Sequence, residues 1–198
     1  MSKDIAEIIK EYREKRIEGK IIDLVPFSLD DSSNVVRIRN KEKIKYFLNQ
    51  TYELSIESQE RWYKDYLTRN NDIYWSIYNK KKDFIGTIRI YDIDKDEDIC
   101  VQGSFIIDEE QAEGAPYALE AEILSLDFVF NQLEIHKVIN EDRADNKVMN
   151  NLTKKLGFEF VKNTEIDNIV YKYYILKPEA YKRNRDKFQA IIDYWMCR

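Results

Sequence analysis

Residues 103 to 130 run from a strand-like apolar stretch, Gly103 to Ile107, through an acidic turn into Gln111 to Tyr117, and then into a long helix with apolar residues at helical spacing. A strand that feeds a helix head-on constrains the fold more than any other stretch of this chain. The first amides of such a helix have no partner within it and carry roughly half a positive charge, so the junction favours phosphate or another anion. The chain has five glycines, at 19, 86, 103, 114 and 157. One placed between strand and helix has a backbone reason to be there. The competing reading is an ordinary strand-to-helix turn that binds nothing.

At 198 residues and 43% hydrophobic content the chain is long enough for one well-buried core and short for two, so one domain over residues 1–198 is expected. Charged residues make up 35% and the net charge is −5, which offers no basic field to nucleic acid or to an anionic membrane. No run reaches the roughly 18 apolar residues of a membrane span, and the opening residues lack the apolar core of a signal peptide. A cytoplasmic protein with neither nucleic acid nor membrane as partner is the expectation. Cys100 and Cys197 show no C-x-x-C spacing and His136 is the lone histidine, so no disulfide framework and no metal site are expected.

Residues 4 to 17 carry Ile5, Ile8, Ile9 and Tyr12 at helical spacing, with Gly19 as a stop, which predicts an amphipathic N-terminal helix. Ile21 to Val25 reads as a first strand, Asp30 to Ser33 caps a short helix, and Ser55 caps another over Glu57 to Leu67. Two hairpins follow, with strands at 73–78, 84–91 and 99–107 and charged tips at 79–83 and 94–98. Beyond the long helix come a strand at 137–141, a helix at 147–156, strands at 158–162 and 169–175, and a terminal helix opened by Pro178. That last helix packs on its own domain or serves a dimer contact, so monomer and homodimer both stay open. Together these elements make the fold class α+β.

The helix start Gly114 to Ala121, its apolar continuation Ile123 to Phe130, Leu133, His136 to Val138, Asn146 and Lys154 to Phe158 follow one another in a set order. Over residues 72 to 160 this order resembles the GNAT superfamily of acyl-CoA-dependent N-acyltransferases. That family has a Q/R-x-x-G-x-G/A turn, a GYATEA-like helix start, and an asparagine about eleven residues before a closing klGF. The resemblance implies a mixed, mostly antiparallel central sheet flanked by helices, here with an N-terminal helical extension over 1–19 and a C-terminal helix over 178–198. It also implies acetyl-CoA as cosubstrate and a small-molecule amine as acceptor.

Carried over by position, Phe105, Ile106 and Ile107 would hold the pantetheine arm. Gln111, Ala112, Glu113, Gly114 and Ala115 would supply the pyrophosphate turn, and Asn146 would touch the arm from the other side. Pro116 departs from the family's Gly or Ala and removes one N–H donor. Asp108, Glu109, Glu110 and Glu113 crowd the turn with negative charge, which repels a pyrophosphate unless they face solvent. Relatives place a glutamate base two residues before the glycine matching Gly103, where this chain has Val101. They place a tyrosine acid seven residues after the asparagine, where it has Thr153. Glu141 and Thr153 are therefore the candidate catalytic groups, with water or one of Tyr171, Tyr173 and Tyr174 able to replace the weak threonine acid. His136 matches a family position that is usually structural, and Cys100 reads as a buried thiol. Arg39, Trp62 and Trp75 are candidates for the acceptor pocket, with core packing as the other reading of Trp75.

Two subgroups share the pattern. Ribosomal-protein N-terminal acetyltransferases match the helix start. Aminosugar acetyltransferases of the pseudaminic-acid type match more of the first half, through Arg39 and Asn40, Ile44, Ser55 to Tyr63, Trp75, and Gly86 with Thr87. An amino sugar of a nucleotide sugar is the expected acceptor, with peptide N-termini or polyamines next, and a catalytically weak acyl-CoA-binding domain as the reading from another class.

Overall fold

The computed structural model describes residues 4–112 and 114–197; residues 1–3, Glu113 and Arg198 lie outside the described residues. Among the described residues eight strands form one sheet: β1 (Ile17–Glu18), β2 (Ile22–Pro26), β3 (Ile73–Asn79), β4 (Phe84–Asp94), β5 (Ile99–Ile107), β6 (Lys137–Arg143), β7 (Glu159–Ile166) and β8 (Ile169–Leu176), in spatial order β1-β2-β3-β4-β5-β6-β8-β7. Every neighbouring pair is antiparallel except β5 with β6. The parallel pair follows from the connection, because the long helix carries the chain back across the sheet before β6 begins.

Alternation along the central strands sends side chains to two cores. Ile73, Trp75 and Ile77 of β3 join Ile85, Ile88 and Ile90 of β4 under four helices: α1 (Ile5–Tyr12), α6 (Tyr117–Phe128), α7 (Lys147–Leu156) and α8 (Pro178–Met196). On the opposite face Tyr74, Phe84 and Ile106 pack with Phe27, with α2 (Ser32–Arg39) and α4 (Ile56–Tyr66), and with Ile44 of α3 (Glu42–Phe47). Trp75 is 0% exposed and meets Phe128 edge-on at 5.2 Å. It is a core residue and lines no acceptor pocket, contrary to expectation.

The first helix is shorter than expected, because the chain turns after Tyr12. Arg13 then donates to the carbonyls of Tyr66 (3.2 Å) and Asp72 (2.7 Å), which ties the N-terminal extension to the end of α4. At the other terminus Tyr181 donates to Asp127 (2.9 Å) and Arg185 pairs with the same carboxylate, while Phe188 and Ile192 are buried, so α8 is anchored on α6. The long helix keeps α geometry to Phe128 and widens into a π turn over Val129–Leu133. Among the described residues no helix is long and apolar enough to cross a membrane.

Candidate active site

The ladder between β5 and β6 is three residue pairs long and ends where Val101 meets Ile139, although β5 continues to Ile107 and β6 to Arg143. Past that point each strand keeps only its outer neighbour, so two inner backbone edges face each other across a wedge. An unpaired edge of this kind is a template for an extended ligand. Its direction is set by a bulge, since β5 spends one extra residue between the Gly103–Arg89 and Ile106–Thr87 pairs, with Ser104 at φ 47°. Phe105 and Ile107 are half-buried and Ile106 is buried in the second core.

Beyond Ile107 the chain makes a short helix, α5 (Glu109–Ala112), which the sequence pattern does not announce. Gly114 follows at φ 73°, a conformation that L side chains rarely adopt, and apart from its chain neighbours no described residue lies within 4 Å of where its Cβ would stand. Packing therefore does not require this glycine, but the backbone does, and the space beside it is open. Pro116 is the N-cap of α6, and its carbonyl accepts from Leu119 (3.1 Å) and Glu120 (3.2 Å). Gln111 and Gly114 are exposed and Ala112 and Ala115 half-buried; Glu113, also expected in this turn, lies outside the described residues.

The acidic turn is neutralised in a way that local sequence conceals. Asp108 takes Arg37 and Lys41 at 2.7 Å each, Lys41 also reaches Glu110 (2.9 Å), and Lys43 meets Glu109 (2.5 Å). Burial pushes the Asp108 carboxyl up, but Lys41 and Arg37 outweigh it and hold the group below the ordinary carboxylate range. The expected repulsion of a phosphate is thus offset by cations from α2 and α3. A cavity of about 390 Å³ lies at this junction, lined by Ile38, Ile44, Ile106, Ile107, Lys41 and Asp108 among others.

On the sheet face toward α4, Tyr91 of β4, Val101 of β5 and Ile139 of β6 are successive cross-strand neighbours. Glu141 comes two residues past Ile139 on the same face, beyond the end of the ladder; it is exposed and accepts from Thr164 at 3.3 Å. Tyr173 stands opposite it on β8. Arg89 is held by Asp72, which also takes Arg69, and its guanidinium lies 5.4 Å from the ring of Trp62 and 4.6 Å from that of Tyr91. Trp62 itself stacks on Tyr66 at 5.3 Å. Arg39, at the end of α2, donates to Gln50 (3.3 Å), and Gln50 and Leu54 both bond Asn40, so this pair fixes the loop that leads into α4.

On the opposite face the wedge is floored by buried polar groups. Thr153 is 1% exposed; its hydroxyl donates to Asp142 (2.6 Å) and accepts from Asn140 (3.1 Å). That hydroxyl is already committed, so Thr153 is corrected from candidate acid to a member of a structural network. Tyr174, a proposed substitute, is fully buried and donates to Asn150 at 2.8 Å. Asn146 caps α7 by accepting from the Met149 amide (3.2 Å). Glu122 of α6 is buried beside Gln102 and Asp142, with no hydrogen-bond partner for Oε2 among the described residues; burial, reinforced by Asp142, pushes its carboxyl up to about 8 despite the Gln102 amide. His136 is tied to Asp98 at 3.1 Å at the closed end of the β5–β6 ladder, away from the wedge, and burial pushes the Cys100 thiol up. Neither is placed to act.

The acetyltransferase (GNAT) domain family matches residues 22–159. No curated protein matches the chain by sequence. Among solved structures, the apo form of FdhC, described as a nucleotide-linked sugar GNAT, superposes with a TM-score of 0.75 at 22% identity, covering 88% of this chain and 97% of its own. Spermidine N-acetyltransferase from Vibrio cholerae, in complex with CoA and spermine, gives 0.75 at 18% identity, with 82% and 99% covered. Mycobacterium smegmatis RimJ in complex with CoA-disulfide gives 0.73 at 13% identity, with 86% and 88% covered. At these identities the likenesses establish a shared fold.

Proposed function

The chain belongs to the acetyltransferase (GNAT) family, and from that premise we propose that this acyltransferase moves an acetyl group from acetyl-CoA to the amine of an amino sugar carried on a nucleotide. The family's donor is acetyl-CoA. Its proposed seat is the free inner edge of β5 at Phe105 to Ile107 for the arm, and the open turn at Gly114 with the first amides of α6 for the pyrophosphate. The fit rests on that open space beside Gly114 and on the cations that neutralise Asp108, Glu109 and Glu110.

The observation that carries the acceptor assignment is the aliphatic pair Val101 and Ile139 at the mouth of the wedge, on the face lined by Trp62, Arg89 and Tyr91. An alkylamine with pKa near 10 is almost wholly protonated at pH 7, and freeing its lone pair costs about 4 to 5 kcal/mol. A site with aliphatic side chains at this point suits an amine that is easier to deprotonate. A sugar amine on an electron-poor ring qualifies, and the likeness to a nucleotide-linked sugar GNAT agrees with it. A peptide α-amine, with pKa near 8, qualifies by the same argument and is the second reading. Glu141, exposed on the same face, is the proposed carboxylate that draws in the ammonium form and takes its proton before attack.

Turnover measured from pH 6 to 10 on a nucleotide aminosugar, an N-terminal peptide and spermidine tests this. The rate should climb with the free-amine fraction of each acceptor and level off at that amine's own pKa, with the aminosugar best at neutral pH. Spermidine as best substrate at neutral pH, with a bell-shaped profile set by enzyme groups, contradicts the assignment.

A further inference from the structure

Tyr91 stands directly opposite Val101, and its ring leans along β5 over Gly103. A Cβ at Gly103 would lie 3.0 Å from Tyr91 Cε1 and 3.1 Å from its hydroxyl oxygen, so the glycine is what lets the ring lie there. Gly103 is also past the last β5–β6 pair, which puts the phenol oxygen at the mouth of the wedge on the face of Trp62 and Glu141. The hydroxyls of Tyr66, Tyr78, Tyr174 and Tyr181 are each bonded within the fold. No hydrogen bond to the Tyr91 hydroxyl is found among the described residues.

Resting on the acetyl-transfer reading above, we propose that the Tyr91 hydroxyl is the catalytic proton shuttle of the transfer, carried on β4 because β5 has an aliphatic side chain at Val101. As the neutral amine attacks the thioester carbon, the C–N bond forms and the C–S bond breaks, with the bonding pair leaving on sulfur. The phenol gives its proton to that sulfur, and its oxygen takes a proton from the amine nitrogen. The products are amide and thiol, and the phenol is restored with no net exchange with solvent. One hydroxyl thereby serves as both acid and base.

The charged groups around Tyr91 are Arg89 and Asp92 of its own strand, Glu141 of β6, and Asp72 ahead of β3. Burial raises the phenol above its ordinary range and Arg89 opposes it; the net direction is upward, which keeps the shuttle protonated at neutral pH.

Two replacements test the role, assayed with acetyl-CoA, the best acceptor of the three above, and hydroxylamine as a small amine of low pKa. Tyr91→Phe should lower kcat by roughly 100-fold or more, with KM for acetyl-CoA and the CoA-induced rise in melting temperature unchanged. Site-specific 3,5-difluorotyrosine at position 91 lowers the phenol pKa. It should keep activity at neutral pH but add a descending alkaline limb to kcat that the wild type lacks, a change that a packing role does not produce. Full kcat in Tyr91→Phe, an unmoved profile with difluorotyrosine, or a wild type that binds CoA but transfers to no acceptor overturns the proposal. Failure of CoA to raise the wild-type melting temperature sinks the donor reading itself and takes this proposal with it.

Discussion

Replacing Gly114 by glutamate is expected to abolish the rise in melting temperature that CoA gives the native protein. A ligand that binds only the folded state stabilises it by mass action, about 2.7 kcal/mol at a hundredfold excess over Kd. Two effects act against that in the variant. Gly114 sits at φ 73°, where a side chain strains the backbone by roughly 1 to 2 kcal/mol. The glutamate would also place a carboxylate in the open space beside the turn, where the pyrophosphate is proposed to lie. Gly114→Ala separates the two, because it shares the strain and lacks the charge; it should melt lower than wild type yet keep much of the CoA shift. An undiminished shift in Gly114→Glu removes the turn from the donor site.

Glu122 is fully buried and its carboxyl is raised from 4.5 to about 8. A carboxyl raised in the folded state is harmless below its unfolded pKa. Between the two values the unfolded chain ionises while the folded one stays protonated, so stability falls as pH rises, by roughly 1.4 kcal/mol per pH unit, and levels off above the folded value. Asp142, raised chiefly by burial, adds to the same slope. Glu122→Gln keeps the shape and removes the titration. By urea denaturation the variant should match the native protein near pH 5 and exceed it near pH 8, by an amount on the order of a few kcal/mol. Parallel stability curves for the two proteins across that range contradict this.

Much of the architecture is legible in the sequence because its periodicities are local. The apolar runs of β3 and β4 between charged tips, the Ser55 cap of α4 and Pro178 at the start of α8 each need only a few neighbouring residues, and each element forms where expected, with β4 running on to Asp94. What escapes is set by partners distant in the chain. Asp108, Glu109 and Glu110 read as a repulsive cluster until α3 and the end of α2 bring Lys41, Lys43 and Arg37 against them from about 70 positions earlier. Trp75 sits on a strand buried on both faces, so alternation does not tell which core it joins. Tyr91 lacks any motif. Its place follows from the register of β4 against β5 and from the absence of a side chain at Gly103, and glycine in a strand was the one available sign that something approaches closely. Thr153 shows the converse, since its position in the chain suggests chemistry while Asp142 and Asn140 occupy its hydroxyl.

The wedge between β5 and β6, with the turn below it, is the proposed seat of the acyl donor. Hydrogen exchange at backbone amides, followed with and without CoA, reads that placement directly. CoA should slow exchange at residues 103–107 along the free edge of β5 and at 114–118 across the turn and the start of α6, and leave the β2–β3 ladder and α8 unaffected. Protection confined to other elements, or none at the wedge while CoA is demonstrably bound, would contradict it.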